Sequence, residues 1–312
     1  MTIAGGGDPA ALAIGLRRDA TGLGLRALAA KTLHVAVVAP ERLMEVYDNA
    51  AGGWLGKPVL SVRPPRHLGQ RLDLSPEFWN AFWALVELPA EARDKVAFAG
   101  ATARLAGLLP GALNVRVAEA TLDFAGVREA AANGLPGRFE LGDLKSCPAG
   151  SLGAEFYRRA VRQPSELEIL DREALGLDDL PPPLDYVNTR ILQCHTLWRL
   201  AAGYGDTELD DVALAAFQMG QFGHQFSALL VALVLAMAAL QRPPGAGLLL
   251  DIVFSGWVHG RDSPPLLGVR WETIWRLRMD EARGQLGLRP RDQRRAPHPG
   301  AESLAGWMRQ AS

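Results

Sequence analysis

The stretch LDYVNTRILQCHTLWRLAAG, residues 184–203, decides how this chain is read. Apolar and polar groups alternate there at helical spacing, which predicts one helix from Leu184 to Ala202. Gly203 stops it, because glycine readily takes the left-handed conformation that ends a helix. His195 and Arg199 are four apart, so their side chains share one face, one turn from each other. A histidine with a second ligand four residues on is a common way for a helix to grip a metal. Here an arginine holds the second place.

Working outward, Ser75-Pro76-Glu77 is a helix start. It has a capping serine, a proline at the first helical position and an acid at the positive end of the dipole. Phe78, Phe82, Leu85 and Val86 then form one stripe, with Trp79 and Trp83 beside it. Helical patterns recur at Glu91–Leu109, Gly153–Val161, Leu209–Met219, Phe226–Leu240 and Trp271–Leu286. Within the last of these, Trp271 and Trp275 form one helical stripe. Most of the rest reads as Gly/Pro punctuation, and no internal repeat is present.

The fold class is therefore mainly α, with room for a small α/β piece in front. That piece rests on Lys31–Pro40 (KTLHVAVVAP), which is rich in valine and ended by proline and so reads as a short strand. Val59–Val62 reads as a second strand. The organisation is a divergent N-terminal segment (1–74), a helical domain (75–288) and a Pro/Arg-rich tail (289–312). In that tail Leu304, Trp307 and Met308 can dock as one turn.

Bulk properties exclude several classes. The chain has 312 residues, 48% of them hydrophobic and 21% charged, with a formal net charge of −1. Nothing global points to nucleic acid, and no aromatic-interleaved basic patch appears. The two cysteines, Cys147 and Cys194, have no partner at zinc-motif or CxxC spacing. Gly22-Leu23-Gly24 precedes the expected strand instead of following one and lacks a third glycine, so it is not a dinucleotide loop. No nucleophile elbow, P-loop or zincin pattern occurs. Residues 1–31 lack the apolar core of a secretory signal, and Asp8 and Asp19 count against a mitochondrial transit peptide. Four lysines against 29 arginines, with abundant Ala, Gly and Pro, suggest bacterial, high-GC coding. The longest apolar run, Phe226–Leu240, falls short of the roughly 20 residues that span a bilayer. It reads as a helix buried in the protein, or as one lining a lipid-binding cavity.

Three segments, in order, resemble one family, the ubiquinone (coenzyme Q) biosynthesis proteins of the Coq-four type. The first is Leu144-Lys145-Ser146-Cys147-Pro148-Ala149-Gly150-Ser151-Leu152-Gly153-Ala154-Glu155-Phe156. The second comprises Tyr186-Val187, Arg190, His195, Trp198, Gly203 and Asp211, continuing to Gln221 and Gly223. The third runs from Trp257 and Gly260 through Trp271-Glu272 and Trp275 to Arg283, Leu286 and Gly287. The resemblance covers roughly residues 125 to 288.

It implies a mostly helical protein, cytoplasmic and peripherally attached to a membrane surface. Such a protein binds a polyprenyl lipid or quinone precursor and works with other quinone-biosynthesis proteins. Its role is either to organise that assembly or to replace the ring carboxylate by oxidative decarboxylation. The alternative is a non-catalytic isoprenoid-binding or scaffold protein of another lipid pathway. The family's metal motif, His-Asp-x-x-His followed by Glu, falls here on His195, Thr196, Arg199 and Asp211. The resemblance makes His195, Arg199 and Asp211 the candidate site residues and leaves metal and cofactor open. Arginine is a permanent cation with no lone pair to give, so at position 199 it opposes an ion. The reading expects Arg199 to pair with Asp211 and to supply fixed positive charge, with His195 orienting a ligand or carrying a proton. His224 is the one further candidate ligand.

Overall fold

A computed structural model describes residues 8–57, 72–89, 95–162, 177–241, 243, 245–291 and 301–309, apart from the single positions 19, 21, 135, 136, 138 and 178. Among the described residues there are fifteen α-helices and no strand. Two compact units emerge.

The first unit takes residues 1–120, 206–261 and 295–312. It holds helices α1 (Pro9–Leu16), α2 (Gly22–Val37), α3 (Leu43–Leu55), α4 (Pro76–Val86), α5 (Lys95–Ala106) and α6 (Gly111–Thr121). Later in the chain it gains α11 (Glu208–Phe222), α12 (Gln225–Gln241), α13 (Ala246–Asp262) and α15 (Ala301–Arg309). The second unit takes 121–205 and 262–294. It holds α7 (Val127–Ala132), α8 (Leu141–Lys145), α9 (Leu152–Arg162), α10 (Leu184–Ala202) and α14 (Met279–Leu286).

The valine-rich segment at 31–37 is helical, which overturns the expected α/β piece. It is the second half of α2, whose Leu25, Leu28, Ala29, Thr32, Leu33 and Ala36 are buried. That spacing is a helical face, and α2 packs against α12. Burial of this face outweighs the modest strand preference of the valines. Val59–Val62 lies outside the described residues.

α12 is the core of the first unit. Val231, Leu233 and Leu235 are each fully buried, and the helix meets α2, α4, α5 and α11. A helix apolar all round belongs inside. No helix among the described residues is long and apolar enough to cross a membrane. Ser75 caps α4 as its sequence predicts, its hydroxyl accepting from the Phe78 amide at 3.2 Å. The tail docks more firmly than one turn. α15 is a nine-residue helix with Leu304 fully buried, and Trp307 Nε1 donates to Gln241 Oε1 at 2.9 Å.

α11 and α13 cross at glycines. A Cβ added to Gly220 would lie 2.5 Å from the Trp257 carbonyl oxygen, and one on Gly256 would lie 2.5 Å from that of Ala213. Gln221 Nε2 donates to the Gly260 carbonyl at 2.6 Å along the same seam. Nearby, Trp257 Nε1 donates to the buried Asp48 of α3 at 2.7 Å, and Arg261 Nε lies 3.5 Å from the same carboxylate oxygen.

In the second unit the Trp271–Leu286 pattern resolves differently from its expectation. Trp271–Thr273 is a 3-10 turn, Trp275 follows in a turn, and α14 begins only at Met279. The two tryptophans are buried, as core residues should be, but not as one helical stripe. The break exists because residues 275–278 pair with another segment. Leu152 and Gly153 amides donate to the Leu277 and Trp275 carbonyls at 2.8 and 2.9 Å. Gly153 permits this approach, since an added Cβ would sit 2.6 Å from Cys147 Sγ and 3.1 Å from Trp275 Cβ. Phe156 stacks on Trp275 with centroids 5.7 Å apart, and Phe139 meets both rings edge-on.

Candidate functional site

The site is built on α10, which runs Leu184–Ala202 as its sequence predicts and ends at Gly203 with φ 76°. Four carbonyls at its C-terminus would otherwise lack partners. Tyr204 N donates to Arg199 O at 2.9 Å and Arg291 N to Ala202 O at 2.8 Å. Arg283 supplies the rest, Nη2 to Leu200 O at 2.9 Å and Nε to Ala201 O at 2.8 Å. A cation at the negative end of the helix dipole adds to those bonds. Burial lowers the Arg283 pKa from its ordinary value, partly countered by Asp280.

The buried face of α10 carries Tyr186, Arg190, Cys194 and Trp198 at four-residue spacing. Arg190 is 2% exposed. Its Nε donates to Leu267 O at 3.1 Å, Nη2 to Val269 O at 2.7 Å and Nη1 to Gln193 Oε1 at 2.5 Å. Gln193 Nε2 passes the network on to Gly137 O at 2.9 Å. Arg190 thus clamps the 267–269 segment to α10. Burial pushes the Cys194 thiol up to about 12, against the opposing charge of Arg190, so this thiol is no nucleophile at neutral pH. Burial raises the Tyr186 phenol too, again opposed by Arg190.

His195 and Arg199 come together one turn further round. His195 is half-buried and Arg199 is 7% exposed. Arg199 Nη2 lies 3.4 Å from His195 Nε2, and Arg199 Nη1 donates to the Gly205 carbonyl. Arginine cannot accept, so Nε2 is the acceptor and the ring proton belongs on Nδ1. Thr196 is buried. Asp211 belongs to the first unit, half-buried on the first turn of α11, where its amide donates to Thr207 O at 3.0 Å. His224, also in the first unit, has Nδ1 committed to Ser227 Oγ at 2.8 Å, and that hydroxyl donates to Gln218 Oε1 at 3.1 Å.

These donors do not fit a divalent metal ion. An ion on His195 Nε2 would have to stand where the Arg199 guanidinium stands, and like charges repel. Among the described residues no group of three or more His, Cys, Asp or Glu side chains converges in a way that could hold one. What the pair offers instead is a fixed cation beside an imidazole, which suits a carboxylate or phosphate.

Two roles escape a reading of the sequence. Arg190 and Arg283 sit in the resembling segments, yet their duties are to clamp and cap α10. Trp257, a partner of Asp48, lies 209 residues further along the chain, and no local signal announces it.

Comparisons with known proteins agree with this frame. No curated protein matches the chain. A crystal structure from Nostoc punctiforme, titled provisionally as a ubiquinone biosynthesis protein, is similar in fold. It shares 18% sequence identity at a TM-score of 0.50, over 67% of this chain and 96% of that one. A family profile described as coenzyme Q (ubiquinone) biosynthesis protein Coq4 matches residues 137–292, half of the chain. Those residues include the Ser151–Gly153 docking strip, α10 with His195 and Arg199, and the Arg283 cap, and on that match the chain belongs to the Coq4 family of ubiquinone biosynthesis proteins.

Proposed function

We propose that this protein binds a polyprenylated aromatic acid of the ubiquinone route and serves there as a carrier or organiser without metal chemistry of its own. The observation that supports the reading is the Arg199–His195 pair, a largely buried guanidinium 3.4 Å from an imidazole nitrogen. Arg199 would hold the ring carboxylate by charge-assisted hydrogen bonds. His195 would orient the ligand through its ring nitrogens. Asp211 enters as the third residue through its place in the motif alone. The protein would act at a membrane surface, peripherally and on the cytoplasmic side, beside other quinone-biosynthesis proteins.

Oxidative decarboxylation of the ring gains little from this site. A guanidinium stabilises the carboxylate that the reaction must remove, which favours the ground state over the transition state. A non-catalytic isoprenoid-binding or scaffold role in another lipid pathway would use the same pair, without requiring a carboxylated ring.

Binding decides between these. A prenylated hydroxybenzoate and the matching prenylated phenol are titrated by quenching of tryptophan fluorescence. The acid should bind at least about tenfold more tightly, and Arg199→Gln should abolish that preference while leaving the phenol unchanged. Equal affinity for the two ligands would remove the carboxylate from the proposal, and no binding of either would end it.

A further inference from the structure

We infer that the corner where α1 meets α2 is a docking surface for an anionic lipid bilayer. This rests on the peripheral membrane association proposed above and says which part of the chain makes it. Leu23, in the first turn of α2, is 81% exposed, and Ile14 of α1 is 50% exposed. Single exposed aliphatics are ordinary, and these two would carry nothing without their neighbours. Arg17 and Arg18 follow Ile14 by three and four residues, and Arg26 follows Leu23 by three, so each helix sets an arginine on the same face as its exposed aliphatic. All three arginines are exposed.

The two helix ends adjoin. An added Cβ on Gly24 would lie 3.1 Å from Leu16 Cδ2, so the start of α2 touches the end of α1. Arg17 reaches the C-cap of α3, its Nη1 3.2 Å from where a Cβ on Gly56 would stand, and exposed Lys57 follows. Charge selects the occupant. At the corner itself the chain carries Arg17, Arg18 and Arg26 against Asp19, while Asp8 caps the far end of α1 and Lys31 lies further along α2 among Arg42, Glu45 and Asp8. Neither α1 nor α2 contains an acid. Exposed aliphatics with an arginine one turn away on each helix suit a phospholipid surface, where the aliphatics enter the acyl boundary and the arginines stay with the phosphates. Nucleic acid would be served by stacking aromatics, and this corner presents aliphatics instead.

The test is co-sedimentation of the full chain with vesicles. Phosphatidylcholine vesicles containing phosphatidylglycerol should bind it, pure phosphatidylcholine much less, and high salt should weaken the binding. Each arginine near such a surface is worth roughly fivefold. Leu23→Glu combined with Arg26→Glu should therefore cost at least about tenfold, with an unchanged far-UV circular dichroism spectrum. If the variant sediments like the intact chain, the corner is wrong and peripheral association stands on other grounds. If the intact chain ignores anionic vesicles, this inference and the membrane reading both fall. Retention of duplex DNA without retention of vesicles would also overturn the inference.

Discussion

Replacing Gly256 by alanine sets two effects of opposite sign against each other. Gly256 lies inside α13, where alanine is the better helix former by about 1 kcal/mol. Its missing Cβ, however, is where α11 passes. The added carbon would stand 2.5 Å from the Ala213 carbonyl oxygen, 3.1 Å from Ala216 Cβ and 3.3 Å from the Ala213 carbonyl carbon. A carbon and a carbonyl oxygen are comfortable at about 3.3 Å, so the helices must part by roughly 0.8 Å. The obstacle is backbone and cannot swing aside. Gly220 and Gly260 make equally close approaches along the seam, so parting at Gly256 loosens contacts at both. Overpacking costs about 1–3 kcal/mol, and because the obstacle here is unyielding backbone the upper part of that range, about 2–3 kcal/mol, applies. With the propensity gain subtracted, Gly256→Ala should destabilise the protein by about 1–2 kcal/mol.

The control is the same substitution where nothing is in the way. Gly284 is exposed on α14, and no atom lies within 4 Å of its added Cβ. There only propensity and the unfolded chain respond, and Gly284→Ala should stabilise by about 0.5–1 kcal/mol. Urea titrations followed by far-UV circular dichroism give both values from the midpoint shifts. A Gly256→Ala protein as stable as the parent would mean the α11–α13 seam is not closely packed. A loss at Gly284 as large as that at Gly256 would show that steric approach is not what separates them.

Two further outcomes follow from buried titrating groups. Cys194 is fully buried with its thiol held near 12, and Cys147 is half-buried with its thiol also raised by burial, so a disulfide reagent at neutral pH should label Cys147 slowly and Cys194 only after denaturant is added; prompt labelling of both thiols in the native protein would contradict this. The His34 pKa is depressed below 6.5, first by burial and then by Arg42, so the unfolded chain binds the proton more readily. Its contribution is present above pH 6.5 and is lost as pH falls through the depressed folded value, and His34→Gln should flatten the loss of stability as pH falls below 6.5.

Much of this was legible in the sequence, and what was not has physical causes. α10 was readable to the residue because one period and one terminal glycine agreed. α4 was readable because serine, proline and glutamate each speak for a helix start. The valines of α2 misled because strand preference is weak, and the burial that overrides it depends on α12, some 190 residues away. Glycine misled in the opposite sense. Gly256 and Gly260 read as punctuation, so α13 went unseen, yet they are the places where another backbone needs room. The same holds for Gly53 in α3, where an added Cβ would strike the Ala10 carbonyl of α1. A glycine that ends a helix and a glycine that admits a neighbour look alike until the neighbour is known. For the site, spacing alone put His195 beside Arg199, whereas nothing local revealed that Arg190 and Arg283 secure the helix they stand on.

That division of labour explains how position 199 can change without loss of the fold. The carbonyls at the end of α10 are satisfied by Tyr204, Arg283 and Arg291, none of which depends on the side chain at 199. The middle of the helix is fixed by Arg190, two turns away on the buried face. A residue placed at 199 is therefore free to be chosen for chemistry. Arginine there is also tolerated locally, since a cation in the last turn meets the negative end of the dipole and its Nη1 finds the Gly205 carbonyl. A histidine at this position could give a metal a lone pair but would forgo that carbonyl bond. The guanidinium offers a permanent charge that needs no ion and no particular pH. The proposed role, holding an anionic precursor without altering it, would be served by the second arrangement.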